Sequence, residues 1–207
     1  MTAENIDIYQ ERYLAHQKRK KAILEGKHEK ATITQLGWDG NFREVVNSRK
    51  SQRTFSDEVI SNYEWIFIRD CLSRTPSSCN RQAVKIMVIE NAGGKFWIEK
   101  YLVGGVNWIS KADKILLLFA DMTAYKNQAE VSFMPYLDAG FIGMTAYYAA
   151  ESIGAGCCFV NPNIREENKE SFNGMFNQKG FLFCGAIALG YYNDRAIKPN
   201  KSKDIFI

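Results

Sequence analysis

The chain has 207 residues, of which 46% are hydrophobic and 24% are charged, and its formal net charge is +4. A chain of this length can bury one good hydrophobic core, so one domain with an extension is the simplest organisation. The mild positive charge does not call for a nucleic-acid partner, and the N-terminus lacks the apolar segment of a secretory signal. Five cysteines, mostly inside apolar runs, indicate reduced thiols and a cytoplasmic protein.

Residues 1–40 are predicted to form a charged helical extension followed by a linker. Residues 3–24 carry a weak apolar stripe at helical spacing among interleaved acidic and basic side chains. We expect this extension to pack on the body or on a partner, and binding to a membrane surface or to nucleic acid is the open alternative. Both histidines, His16 and His28, lie here, so the body contains none.

A body without histidine argues against several classes of enzyme. A hydrolase of the Ser-His-Asp or Cys-His type would need an unusual arrangement. The adjacent Cys157 and Cys158 are not spaced as a zinc-chelating pair, so no metal site is predicted. No side chain is assigned as a catalytic acid or base. If the protein is an enzyme, we expect a bound cofactor to supply the reactivity.

The body, residues 41–207, mixes helical and extended patterns along the chain. Apolar residues at helical spacing predict helices, and short runs rich in β-branched residues predict strands. The lack of a regular βαβ repeat favours an α+β fold over a doubly wound sheet. The predicted elements are helices at 41–49, 57–74, 94–103, 136–154 and 165–176, and strands at 83–90, 114–121, 157–160 and 182–191.

The helix predicted at residues 136–154 is apolar nearly all round, with small residues along one side. Such a helix must be covered on every face, and small residues allow another helix to approach closely. A second subunit or a domain core would provide that cover, and the pattern favours a dimer. Glu151 and Ser152 interrupt the apolar stretch at 141–160, so we predict a buried helix and a strand rather than a membrane span.

Three polar clusters lie next to predicted core elements: "SRKSQR" at 48–53, "PSSCNRQ" at 76–82 and "KSK" at 201–203. The cations and hydroxyl groups of the first and third suit a dianionic phosphate. The amides of Asn80 and Gln82 suit the edge of a heterocycle with alternating carbonyl and N–H groups. The alternatives are a solvated surface for the first and third clusters, and a helix-capping loop for the second.

Five segments in this order carry a family resemblance: "SRKSQRTF", "TPSSCNRQ", "YLDAGFIGMTAYYAAESIGAG", "GAIALGY" and "KSK". Together they resemble the FMN-dependent nitroreductase family over residues 41–207. The resemblance implies a three-layer sandwich of the α+β class with a central, mostly antiparallel sheet. It also implies an intertwined homodimer, in which a C-terminal tail reaches the partner subunit and each FMN contacts both chains.

The resemblance also implies which residues bind FMN. Residues 49–53 would bind the phosphate and the ring, the loop at 76–82 would come from the partner subunit, residues 159–161 would pass the reactive N5 edge, and the C-terminal lysines would close on the phosphate. The implied cofactor-binding residues are Arg49, Lys50, Ser51, Arg53, Pro76, Ser77, Ser78, Asn80, Gln82, Phe159, Val160, Asn161, Lys201 and Lys203. Tyr125, Phe133 and Tyr136 could line a substrate lid, with ordinary core packing as the equal alternative.

The chain departs from the family pattern at several of these segments. Lys50 stands where a second arginine is common, which keeps the charge but weakens bidentate recognition of phosphate. At the N5 segment, Asn161 and Pro162 replace a turn that commonly contains glycine. Because Pro162 has no backbone N–H, a hydrogen bond to N5 must come from Asn161 or a neighbour. The departures therefore concern the substrate side of the site more than the phosphate side.

The activity implied by the resemblance is an FMN-dependent oxidoreductase that uses NAD(P)H as electron donor. NAD(P)H would reduce the bound FMN and leave, and a flat electrophile would then take the electrons in a ping-pong reaction. Nitroaromatics, quinones and activated alkenes are the expected small-molecule acceptors. Two alternatives remain open: a flavin-binding protein without turnover, and a dedicated biosynthetic flavin oxidase or reductase with the same fold.

Overall fold

The computed structural model describes residues 42–177 and 179–193, without the side chain of Arg43. The predicted extension at 1–40 and the lysines Lys201 and Lys203 lie outside the described residues.

A four-stranded antiparallel sheet forms the centre of the body, with the strand order β1-β2-β4-β3. The inner strands β2 and β4 are rich in Ile, Leu and Ala on both faces, and seven of the eight residues of β2 are buried. Strands that are apolar on both faces belong between two layers, as the continuous apolar pattern predicts. The strands are β1 (Val84–Ile89), β2 (Lys114–Asp121), β3 (Gly156–Val160) and β4 (Phe181–Gly190).

Helices pack on both faces of this sheet. They are α1 (Phe42–Ser48), α2 (Asn62–Ser73), α3 (Ala92–Tyr101), α4 (Gln128–Val131), α5 (Met134–Ser152) and α6 (Lys169–Phe176). Residues 116, 118 and 120 of β2 pack with α2 and α5, whereas 115, 117 and 119 pack with α3 and α6. This alternation follows from the period of two in a strand. The predicted three-layer α+β fold is confirmed.

The local sequence explains why two helices begin later than predicted and why a third was not predicted. The helix predicted at 57–74 begins at Asn62, because Ser61 and Glu64 form a capping box in which each side chain accepts a hydrogen bond from the other residue's backbone N–H. The helix predicted at 165–176 begins with a separate 3₁₀ turn at Glu166–Asn168. The short α4 carries too few apolar residues to be detected from periodicity.

The long helix α5 has two apolar faces with different surroundings. Small residues such as Ala139, Gly143 and Ala146 face the sheet, where an added Cβ at Gly143 would lie 2.8 Å from the ring of Phe159. The opposite face exposes large apolar side chains to solvent: Phe133, Tyr136, Leu137, Phe141 and Met144. Within the part of the chain that the structure describes, none of the helices combines the length and the hydropathy needed to cross a bilayer.

Candidate functional site

The segment at residues 49–53 lies along the outer edge of β3. Ser51 forms a parallel bridge with Cys157, and the Gln52 N–H donates to the Cys157 carbonyl oxygen at 2.9 Å. Gln52 is buried, and its amide donates to the backbone oxygen and the hydroxyl of Thr54. A Cβ at Gly156 would lie 2.7 Å from the Gln52 side chain, so glycine permits this close approach. The sheet edge thus fixes the first polar cluster beside residues 159–161.

Tyr147 of α5 joins these two segments. Its hydroxyl lies 2.9 Å from the Ser51 hydroxyl and accepts a hydrogen bond from the Phe159 N–H at 2.9 Å. The guanidinium of Arg49 lies 4.9 Å from the centre of the Tyr147 ring, which is cation–π geometry. Tyr147 is not among the residues predicted from the sequence, in which a tyrosine on a helix with many small residues is the one available signal.

Arg53, at the end of the same segment, lies over the ring of Trp108, 5.9 Å from its centre. Trp108 is held by its indole N–H, which donates to the Gly104 carbonyl oxygen at 3.0 Å, and by stacking on Phe55. An added Cβ at Gly104 would lie 3.0 Å from the side chain of Val160. The turn at residues 104–108 therefore packs against both the cationic segment and the end of β3.

The buried cysteines of the sheet do not supply a nucleophile. Burial raises the pKa of Cys157 and of Cys158, and the nearby Arg49 and Arg53 guanidinium groups only partly offset this effect. Burial also raises the pKa of Cys184 to about 11. Because the thiolate is the reactive form, these three thiols are unreactive at neutral pH.

The loop at residues 75–82 lies against the N-terminal half of α5. The Ser78 N–H donates to a carboxylate oxygen of Asp138 at 2.8 Å, and Ser77 Oγ accepts the Gln82 N–H at 2.9 Å. The amide of Gln82 donates to that of Asn80 at 3.0 Å. Cys79, Asn80 and Gln82 have φ values of 51°, 54° and 52°, and left-handed non-glycine residues need support from their surroundings. The hydrogen bonds of Ser77 and Asp138 provide that support.

Asp138 also fixes the segment that precedes α5. Its second oxygen accepts a hydrogen bond from the Tyr125 hydroxyl at 2.9 Å. Burial, followed by the interaction with Asp138, raises the pKa of Tyr125 well above its usual value. Tyr125 is only 6% exposed, which favours the packing alternative over a lid position. Phe133 and Tyr136 are exposed at the start of α5, close to the loop, where Ser78 Oγ contacts Met134 Sδ.

One chain therefore brings the predicted cofactor residues together in two groups rather than one. The first contains Arg49, Lys50, Ser51, Arg53, Phe159, Val160 and Asn161, and the second contains Pro76, Ser77, Ser78, Asn80 and Gln82. The anchors Tyr147 and Asp138 are nine residues apart on α5, or about 14 Å along the helix axis. The hydrogen bonds of Tyr147 lie within the first group, and those of Asp138 and Ser77 involve the second.

Among the described residues, His, Cys, Asp and Glu side chains form no group of three or more that could hold a metal ion. What the two groups offer instead is cationic and hydroxyl groups on one side and amide groups on the other. Such groups can bind an anionic phosphate and the polar edge of a heterocycle.

Comparison with known proteins gives one curated relative and many structures of similar fold. FMN reductase (NAD(P)H) of Bacillus subtilis (strain 168) is 27% identical over 172 residues, which cover 75% of this chain and 68% of that protein. No protein-family model matches the chain. The sequence relationship therefore depends on this one pairwise similarity together with the structures.

The structural similarities extend over most of the described body. A nitroreductase family protein from Streptococcus pneumoniae superposes with a TM-score of 0.69 at 16% identity, covering 80% of this chain and 96% of that chain. The hypothetical oxidoreductase YcnD from Bacillus subtilis gives 0.68 at 24% identity, covering 77% and 69%. A putative NADH dehydrogenase/NAD(P)H nitroreductase from Parabacteroides distasonis gives 0.69 at 16% identity, covering 80% and 95%. At these identities the similarity establishes a shared fold.

Proposed function

We propose that this chain is an FMN-dependent oxidoreductase that takes electrons from NAD(P)H. The proposal starts from two facts. The chain has the fold of nitroreductase family proteins, and its sequence is similar to a protein named FMN reductase. The observation that carries the proposal is the meeting of residues 49–53 with residues 159–161 through Tyr147. The family resemblance assigns these two segments to the phosphate, the ring and the N5 edge of one flavin.

The side chains of the cationic segment, residues 49–53, fit an FMN phosphate. Arg49, Lys50 and Arg53 supply positive charge, and Ser51 supplies a hydroxyl group, within five consecutive residues. Guanidinium groups and hydroxyl donors are the partners that a dianionic phosphate prefers. Arg49 and Arg53 lie over the rings of Tyr147 and Trp108, respectively, so their guanidinium groups are oriented before a ligand binds.

The chain's own residues would hold and orient the cofactor rather than transfer protons. FMN, when bound, supplies the acceptance of a hydride at N5 and the onward transfer of electrons. Positive charge from Arg49, Lys50 and Arg53 would favour a ligand that carries negative charge. The side-chain oxygen of Asn161 accepts a hydrogen bond from the Asn163 N–H at 3.3 Å, which closes the turn around Pro162 at the end of β3.

The complete site is proposed to use two copies of the chain. The loop with Asn80 and Gln82 lies apart from the cationic segment in one chain, and the outer face of α5 exposes Leu137 and Phe141. A second copy packed on that face would cover it and bring its own loop to the first chain's cationic segment. The tail with Lys201 and Lys203 would close on the phosphate from the C-terminus. Nitroaromatics, quinones and activated alkenes are the proposed acceptors, reduced in a ping-pong sequence.

A flavin-binding protein without turnover is the second candidate. It is favoured by the sequence Asn161-Pro162 at the end of β3, where Pro162 cannot donate a backbone hydrogen bond. Such a protein would bind FMN but would not accept electrons from NADH or NADPH. A dedicated flavin oxidase or reductase with the same fold would instead act on a single metabolite.

A visible spectrum before and after reductant separates these functions. We expect the purified protein, supplemented with FMN and desalted, to show the yellow absorption of bound flavin and to lose it under anaerobic NADH or NADPH. Protein that stays colourless after FMN is added would contradict the proposed function. Bound flavin that neither nucleotide reduces, while dithionite does, would identify the non-catalytic alternative.

A further inference from the structure

We propose that Tyr147 is a positioning residue that orders the hydroxyl of Ser51 so that its proton points at the phosphate of the bound nucleotide. The inference rests on the proposed function and deepens it, since it assigns a hydrogen-bond direction within the cationic segment. The residue itself lies on α5, outside the segments that the family resemblance assigns to the cofactor.

The first step concerns the hydrogen bond that the Tyr147 hydroxyl accepts from the backbone of Phe159. Phe159 lies in the edge strand β3 and pairs with Ile187 of β4 on one side only. Its N–H donates to the Tyr147 oxygen at 2.9 Å. A backbone N–H can only donate, so the phenol oxygen acts as acceptor in this bond.

The second step is the single proton of the phenol. Burial raises the pKa of Tyr147 to about 12, so the hydroxyl keeps its proton at neutral pH. A half-buried hydroxyl favours a strong acceptor, and the Ser51 oxygen lies 2.9 Å away. The Cys158 thiol also lies close to both hydroxyls, but it is protonated and sulfur is a weak acceptor. The phenol proton is therefore donated to Ser51.

The third step follows for Ser51. Its oxygen receives the proton of Tyr147, so its own proton is free to donate to another group. Ser51 lies between Lys50 and Arg53 in the cationic segment, where an anionic oxygen is the acceptor that the charges favour. A phosphate oxygen thus completes a chain of donation from the Phe159 N–H through Tyr147 and Ser51 to the ligand.

The ring and the hydroxyl of Tyr147 act on different groups, which makes them separable by mutation. The ring lies under the Arg49 guanidinium at 4.9 Å, whereas the hydroxyl contacts Ser51 and Phe159. The Tyr147→Phe substitution removes the hydroxyl and retains the aromatic ring. Tyr148 provides a matched control on the same helix, because its ring packs on Phe42 and its hydroxyl has no hydrogen bond to another described residue.

The test compares FMN with riboflavin, which lacks the phosphate, by equilibrium titration of flavin fluorescence. For Tyr147→Phe we expect FMN affinity to fall at least about threefold while riboflavin affinity changes less, because only the phosphate loses an oriented donor. Ser51→Ala should lower FMN affinity by as much or more. The double variant should bind FMN no more than about twofold more weakly than Ser51→Ala, because both changes remove the same interaction. Tyr148→Phe should match the wild type.

Three results would overturn the inference. The first is unchanged FMN affinity in Tyr147→Phe, and the second is losses at the two positions that simply multiply in the double variant. The third is an equal loss for FMN and riboflavin, which would indicate a general structural defect. Wild-type protein that binds neither flavin would overturn the proposed function itself, and with it this inference.

Discussion

A buried carboxylate holds the amide-bearing loop in place. Asp138 is 1% exposed, and its two oxygens accept hydrogen bonds from the Ser78 N–H and the Tyr125 hydroxyl. Burying a charge is costly unless hydrogen bonds replace its hydration, and both donors here are fixed by their own elements. Asp138 thus links the loop at 75–82 and the segment before α5 to a single point on the helix.

The Asp138→Asn substitution should destabilise the fold. An amide keeps one acceptor oxygen for the Ser78 N–H, whereas the Tyr125 hydroxyl must turn to accept from the new NH₂ group, so two hydrogen bonds to a carboxylate are replaced by weaker bonds to a neutral amide. We expect the free energy of unfolding to fall by about 1–3 kcal/mol in urea titrations. Asp70→Asn is the matched control, because Asp70 is exposed and its ion pair with Arg74 lies on the surface at the end of α2, so little change is expected there. Equal stability of the two variants would contradict the role given to Asp138.

The buried thiols predict how stability depends on pH. Burial raises the pKa of Cys157, Cys158 and Cys184 in the folded state, the last to about 11, from an ordinary value of 9.0. The stabilisation is complete below pH 9, because both states are then protonated. It is lost as the pH rises from 9 through the folded values, where the unfolded chain alone releases the protons. Urea titrations at pH 7–8 and at pH 10–10.5 should show this fall, and constant stability up to pH 10.5 would contradict it.

At the scale of elements, the apolar pattern of the sequence predicts where the strands and helices lie, but it does not predict the polar contacts between them. The strand at 114–121 matches its prediction because its apolar side chains serve two cores at once. Sequence periodicity could not reveal the role of Tyr147, since that role depends on a backbone N–H of another element. The polar clusters at 48–53 and 76–82 could be found from the residues themselves, but that residues 49–53 would lie beside β3 could not, because residues 51 and 157 are far apart in sequence.

Strand β4 has an irregular position at Gly185 that only glycine fits without strain. The register of β2 and β4 shifts at Leu118/Phe119, opposite Gly185, which has φ of 135°. A Cβ there would lie 2.7 Å from both the Phe159 ring and the Val160 carbonyl oxygen. We expect Gly185→Ala to destabilise the protein by about 1–3 kcal/mol in thermal or urea unfolding, and to weaken FMN binding by displacing β3.

Gly174 is the control for that substitution. It lies in α6 with nothing within 4 Å of an added Cβ, so Gly174→Ala should be neutral or stabilising by about 0.5–1 kcal/mol, as expected for a helix interior. A Gly185→Ala variant as stable as Gly174→Ala would show that the close approach of β3 and β4 can relax without cost.

At the scale of the whole molecule, the outer face of α5 is the proposed contact with a second copy of the chain. A contiguous set of exposed apolar side chains on one helix is unusual for a monomer and typical of an interface. The Phe141→Glu substitution places a charge on this face, so sedimentation velocity should show a dimer for the wild type and a monomer for the variant. Phe96→Glu is the control, because Phe96 is exposed on α3, on the other side of the sheet, and should leave the dimer intact. A wild-type monomer would contradict the shared site.

The central claim is that the cationic segment of one chain and the amide loop of another bind the same flavin. Hybrid dimers of an Arg49→Ala chain and an Asn80→Ala chain, isolated with two affinity tags, test it directly. Such a hybrid has one site with both changes and one site with neither. We predict that it retains about half of the FMN and of the NAD(P)H-dependent activity of the wild-type dimer, well above either parent variant. A hybrid dimer that binds no more FMN than its parents would contradict the account.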